Sequence, residues 1–305
     1  MTNFLPPHVH LERQALTCPL GIRFVDDATR RPIGGLKVEA YPPATPWQRV
    51  AAVATRSDVY AFHGLPGLRD FENQTDDDLR WTLESPLSPR PFVVEIQDPA
   101  GRFLPARFLA EAPARVEALQ DSASPPALAA LRTEILHSSP SRQPPGGCAV
   151  LRAQLFELGG RDNREHAAAW AVAEISTQVL NREVTARGAA DDQGRLTIIF
   201  PYPEPVSVST GSPPSGSPQL LSEQSWPLTF RAWHTFAGET PDFLDLDTVR
   251  DFEVQPPTEV WDGDSPLEPF TSADLIFGRE LVVPVRLPGD SRPRQLFLSK
   301  AASPP

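Results

Sequence analysis

Apolar and polar positions alternate in short runs along this chain. Leu20, Ile22 and Phe24 alternate with polar or small partners, the period of a half-buried strand. Asp26-Asp27 begin a turn. Leu36, Val38 and Ala40 then resume the alternation, with Gly34-Gly35 giving the backbone freedom for the bend. Val59 to Phe62 reads as a third strand, ended by the stretch Gly64 to Gly67. Phe92 to Ile96 is a fourth, closed by the turn Asp98-Pro99-Ala100-Gly101, and Arg102 to Pro105 starts a fifth. Short strands separated by turn signals predict an all-β sandwich over residues 15–112.

The second half repeats the style. Val150, Arg152, Gln154 and Phe156 lie in one strand pattern. Residues 168–175 fit helix or strand, and the Trp and Val at regular spacing favour strand. Asp191 to Gly194 is a turn before Arg195 to Phe200, the clearest strand here. Leu228 to Trp233 and Leu281 to Val285 follow, the last at an edge because it carries Pro284. An echo links the halves: Arg56 to Phe62 and Asp191 to Leu196 both read as a polar turn, then a strand, with a proline stop beyond. The expectation is a second β-sandwich over residues 148–300, with a tail at 301–305.

Residues 113–147 read as a proline-rich linker. Its Pro125 to Leu136 stretch predicts one short helix, since Ser124 can cap it, Pro125 suits the first turn and the alanines favour helix. Residues 1–14 read as an N-terminal arm in which Phe4 and Leu5 precede Pro6-Pro7. The fold class is therefore all-β, with two Ig-like or transthyretin-like sandwiches joined by that linker.

Composition agrees. The 36 prolines disfavour a helical bundle. A formal net charge of −11 without a basic run argues against a nucleic-acid partner. Lys37 and Lys300 are the two lysines, so Arg supplies nearly all positive charge; codon bias of a GC-rich genome accounts for this first, and suitability for planar pairing at protein interfaces is the second reading. Cys18 and Cys148 have neither zinc-ligand nor CxxC spacing, and two reduced thiols are expected. No signal peptide or membrane-length apolar run is visible, so the expected location is cytoplasmic, within an assembled particle that is released or anchored.

Candidate chemistry is sparse. His8 and His10 with Glu12 could offer metal ligands on one strand face, but no third ligand is evident. Asp242, Asp245, Asp247, Asp251 and Glu253 invite a calcium reading, yet the EF-hand spacing is missing and apolar residues interleave. Glu95 with Asp98 resembles a carboxylate pair, but one strand end suits surface charges better. No nucleophile elbow occurs, and His63, His137, His166 and His234 have no Asp or Cys at a telling spacing. The expectation is no catalytic residue, no metal and no cofactor. Loop tryptophans remain: Trp47, Trp81 and Trp261, with Phe4 and Leu5, are the candidate interface residues, while Trp226 and Trp233 also lie among prolines or in a strand.

The phrases RPIGGLKVEAY and SDVYAFHGLPG resemble the carboxypeptidase-regulatory-like, transthyretin-like β-sandwich. Together with PRPFVVEIQDPAGRFLP, AAWAVAEI and GAADDQGRLTIIFPYPEP, over residues 15–235, the chain is similar to proteins encoded with contractile injection systems, which are phage-tail-like particles. That resemblance implies a structural component in several symmetric copies, bound to sheath, tube, baseplate or cap proteins, with no functional residues to transfer. The rival is a free module binding carbohydrate or a cell surface through loop tryptophans. A third reading, a metal-dependent hydrolase, would require bound metal.

Overall fold

The computed structural model describes residues 18–72, 89–113, 131–158, 166–179, 182–204, 221–236, 241–262, 268–283 and 295–299. The first sandwich holds β1 (Leu20–Asp26), β2 (Lys37–Tyr41), β3 (Val50–Ala51), β4 (Val53–Ala54), β5 (Val59–Phe62), β6 (Arg90–Gln97), β7 (Ala106–Ala112) and β8 (Leu131–Leu136). A one-turn helix α1 (Arg69–Glu72) follows β5. One sheet runs β4-β5-β1-β8; the other runs β3-β2-β6-β7. In β1 every second residue is buried, as its alternation predicts. Ile22, Phe24, Tyr60 and Phe62 of one sheet meet Val38, Phe92, Val94 and Phe108 of the other in one core.

The second sandwich holds β9 (Cys148–Glu157), β10 (His166–Ala167), β11 (Val172–Val179), β12 (Arg182–Ala189), β13 (Arg195–Pro201) and β14 (Ser225–Trp233). After an excursion come β16 (Glu259–Asp262), β17 (Glu268–Pro269), β18 (Ser272–Ile276), β19 (Leu281–Val283) and β20 (Leu296–Ser299). Its strand order repeats the first. β1 lies between antiparallel β5 and parallel β8, and β9 lies between antiparallel β13 and parallel β19. β2 joins β3 to β6 and β6 joins β7, just as β11 joins β12 to β14 and β14 joins β18. The echo between Arg56–Phe62 and Asp191–Leu196 falls on equivalent turns, β4–β5 and β12–β13.

The excursion crosses back. β15 (Leu244–Asp245) pairs in parallel with β7, and α2 (Leu246–Asp251) packs beside it. A segment of the second half thus completes a sheet of the first sandwich.

Four expectations are corrected. Of the expected helix, residues 125–130 lie outside the described residues, and Leu131–Leu136 is strand β8, in register with β1 from Gly21–Leu131 to Asp26–Leu136. Local propensity favoured helix there, but β1 offers a free edge, and pairing buries Glu134 and Leu136 on one face. Part of the supposed linker is therefore core strand. Arg102 to Pro105 is connection, and β7 begins at Ala106. Residues 168–171 turn, and β11 begins at Val172.

Candidate functional site

An open cleft of about 1170 Å³ separates the two sandwiches. The turns that face each other across it are built alike. Asp98 accepts the Ala100 N–H at 3.2 Å, the Arg102 N–H at 2.8 Å and Arg102 Nε at 2.9 Å. Asp191 accepts the Gln193 and Arg195 N–H groups at 2.9 Å each and Arg195 Nε at 2.8 Å. Gly101 and Gly194 supply the positive φ, 67° and 74°, that each turn needs. Burial pushes the Asp98 carboxyl up, but the Arg102 guanidinium and the backbone N–H groups hold it below the ordinary carboxylate range. The signal was present in the sequence as Asp-x-x-Gly-Arg written twice, and reading each turn separately missed it.

The second sandwich lines the cleft with the outer face of β9, β13 and β19. Arg152 there donates to the Pro140 carbonyl and to Thr197 Oγ1, and pairs with Glu280. Trp170 forms another wall. Its φ is +60°, a left-handed conformation that is uncommon for a bulky residue, and its indole N–H donates to the Pro241 carbonyl at 2.7 Å. Trp170 also lines a smaller pocket of about 160 Å³. There His234 Nε2 lies 2.7 Å from Glu157 Oε1, near Arg107 and the apolar side of α2.

Two fasteners join the sandwiches. Arg142, just beyond β8, makes a two-pronged contact with Asp26 at 2.8 and 2.6 Å, and its guanidinium stacks 4.6 Å from the Phe103 ring. Beside it, Ala28 of the first sandwich packs with Val150 and Ile199 of the second. The second fastener is α2. Asp245 caps it, Asp247 accepts the Leu109 N–H at 2.7 Å, and buried Glu134 of β8 receives both Arg132 and Arg250. Leu246 and Phe252 then fill the gap between the first core and Trp233.

The residues singled out in the sequence fall differently. Trp47 is 76% exposed on the connection between β2 and β3. Trp261 is corrected: it is 5% exposed, inside β16, where it packs rather than projects. Trp226 and Trp233 are likewise buried in β14. Phe4, Leu5, His8, His10, Glu12 and Trp81 lie outside the described residues. Glu95 and Asp98 do not act on a common point. Glu95 accepts the Tyr41 hydroxyl at 2.5 Å and pairs with Arg49. Asp245 and Asp247 serve α2, and among the described residues no cluster of His, Cys, Asp or Glu is placed to hold a metal ion. Two histidines do find carboxylates, His137 with Asp27 at 3.2 Å and His234 with Glu157, across sequence distances that no local motif signals. Cys18 and Cys148 are free, and burial pushes both thiols up. Among the described residues, no helix is long and apolar enough to cross a membrane.

No family model matches the sequence, and no curated protein matches it. Solved structures similar to it include a minor pilin of Streptococcus agalactiae, 10% identical over 94% of this chain and 98% of that one, with a TM-score of 0.21. The shaft pilin SpaA of Lactobacillus rhamnosus GG is 7% identical over 94% and 100%, with a TM-score of 0.21. The Bacillus anthracis TIE protein is 10% identical over 84% of this chain, at a TM-score of 0.21, and this chain spans only 41% of its length. At these scores the likeness carries no argument about function.

Proposed function

We propose that this chain is a non-enzymatic structural component of a contractile, phage-tail-like particle, acting at its baseplate, cage or cap through protein–protein contacts. The observation that carries the reading is the joining of two like sandwiches, through the Ala28–Val150–Ile199 cluster and the docking of the crossing segment β15 on β7. Such a body suits a spacer or clamp between other subunits. The charges of the cleft support it too. Asp98, Asp191 and Arg152 are spent on turns and on neighbouring chain segments, so they hold shape rather than act on a substrate.

The exposed contact surface of the first sandwich is the ribbon from Pro43 to Ala54. Trp47 and Val53 project from it, and β3 and β4 are the edge strands of the two sheets. Among the described residues Trp226, Trp233 and Trp261 are buried and are not free to stack on sugars, which weighs against a carbohydrate-binding module built on them.

The test is recovery of the tagged protein from its native host, with particles separated by sedimentation. Sheath, tube or baseplate proteins at fixed stoichiometry are expected. Recovery of the chain alone, or with glycans, would overturn the reading.

A further inference from the structure

The smaller pocket, of about 160 Å³, takes its wall from both sandwiches and from the crossing segment. Arg107 comes from β7, Glu157 and Trp170 from the second sandwich, and Asp245 and Val249 from the crossing segment. An enclosed water needs about 10–15 Å³ of such space. The pocket therefore has room for roughly ten waters, or for an organic molecule of about ten non-hydrogen atoms.

Arg107 sits half-buried on the outer face of β7, flanked in register by Glu95 of β6 and Asp245 of β15. Opposite charges on neighbouring strands ordinarily pair. Arg107 pairs with neither, and its guanidinium makes no hydrogen bond or ion pair among the described residues. Glu95 is taken by the Tyr41 hydroxyl and Arg49, and Asp245 Oδ1 by the Asp247 N–H. The planar fork of Arg107 is thus left for a carboxylate from outside.

The acids in the wall are only half used. Glu157 receives His234 through Oε1 at 2.7 Å, and Asp245 caps α2 through Oδ1. The second oxygen of each bonds nothing among the described residues. Two carboxylates beside one guanidinium disfavour a bare anion and suit a ligand with an ammonium next to its carboxylate. Arg107 and Asp245, on strands about 5 Å apart, are spaced for the two charges on one α-carbon. The remaining wall is apolar, with Trp170 and Val249 packed against the first core. Trp170 holds its left-handed backbone at this point, and such strain concentrates at ligand sites.

We propose that this pocket binds a free α-amino acid with an apolar side chain. Its carboxylate lies on Arg107, its ammonium on Asp245 and Glu157, and its side chain against Trp170 and Val249. A ligand so placed touches both sandwiches and the crossing segment, and it stabilises their docking by linkage. The inference stands independently of the particle reading.

The experiment is calorimetric titration of the full chain with L-leucine and L-phenylalanine. Their N-acetyl forms, which lack the ammonium, and their amides, which lack the carboxylate, are titrated alongside. One-to-one saturable binding of either free amino acid, weakened at least tenfold by acetylation, by amidation and by Arg107→Gln, supports the proposal; tenfold is about what one charged hydrogen bond contributes. Saturation by neither amino acid overturns it. Equal affinity for the N-acetyl form overturns it in favour of a plain carboxylate such as a peptide C-terminus. Unchanged affinity in Arg107→Gln overturns it by placing the ligand elsewhere. The comparison among ligands needs no variant, so it decides the matter even if Arg107→Gln fails to fold. Particle recovery is read separately, so either idea can fail alone.

Discussion

The guanidinium of Arg142 clasps the carboxylate of Asp26 with two nitrogens, at 2.8 and 2.6 Å, and both side chains are buried. Asp26 ends β1 and Arg142 lies on the path from β8 to β9, so this one contact ties the first sandwich to the entry of the second. Asp26 also accepts Ala28 N–H at 3.0 Å and Thr29 Oγ1 at 2.6 Å, which leaves it well satisfied despite burial. Removing one partner leaves the other charge uncompensated. Arg142→Ala is expected to lower stability by about 3 kcal/mol, read from urea unfolding. Replacement of both, Asp26→Asn with Arg142→Met, should cost less than the two single changes added.

The same carboxylate sets an acid limit. Burial raises the Asp26 pKa, and the Arg142 and Thr29 hydrogen bonds overcome that, leaving it below the ordinary value. Glu95, held by Arg49 and Tyr41, and Asp98, held by Arg102, are lowered for like reasons. A carboxyl with a depressed folded pKa contributes stability above its unfolded value, about 4, and loses it as pH falls through the folded one. Unfolding free energy should therefore fall steadily below about pH 4, and Arg142→Ala should flatten that fall. Urea titrations between pH 3 and 6 check it; an unchanged slope would count against the pairing.

Glu134 and Arg250 offer a local test of the crossing segment. Glu134 is buried in β8 and Arg250 reaches it from α2. A double-mutant cycle between Glu134→Gln and Arg250→Met should give a coupling of about 1–3 kcal/mol. Either single change should also speed amide exchange across 244–252 while leaving the β9–β13 pair protected.

The paired turns predict an asymmetry between two similar glycines. A Cβ at Gly101 meets no atom within 4 Å, whereas a Cβ at Gly194 would lie 2.2 Å from the Leu155 carbonyl oxygen. Gly101→Ala should cost only the left-handed backbone penalty, about 1–2 kcal/mol. Gly194→Ala should cost clearly more, since backbone must move. Equal thermal shifts for the two variants would contradict this geometry.

Trp170 ties its wall of the cleft to the crossing segment through one hydrogen bond to Pro241. Trp170→Phe keeps an aromatic ring, smaller than the indole, and deletes that bond, and the expected loss is about 1 kcal/mol from the hydrogen bond. Faster exchange at Leu244, whose N–H bonds the Pro105 carbonyl at 3.0 Å, would accompany it.

The sequence by itself determined what a period-two pattern can encode: that Leu20, Ile22 and Phe24 share a buried face, that Asp191 to Gly194 turns, and that the chain forms two sandwiches. These are local properties, set by backbone stereochemistry and by which alternate side chains must leave water. Tertiary structure decided the rest. Leu131–Leu136 became strand because β1 presented a free edge beside it, and Trp261 was buried because β20 and β17 closed around β16. Asp26 found Arg142 across 116 positions, and Leu244 found Ala106 across a greater distance. Such pairings depend on where whole sheets come to lie, and that follows from packing two cores against each other, which no run of neighbouring residues records.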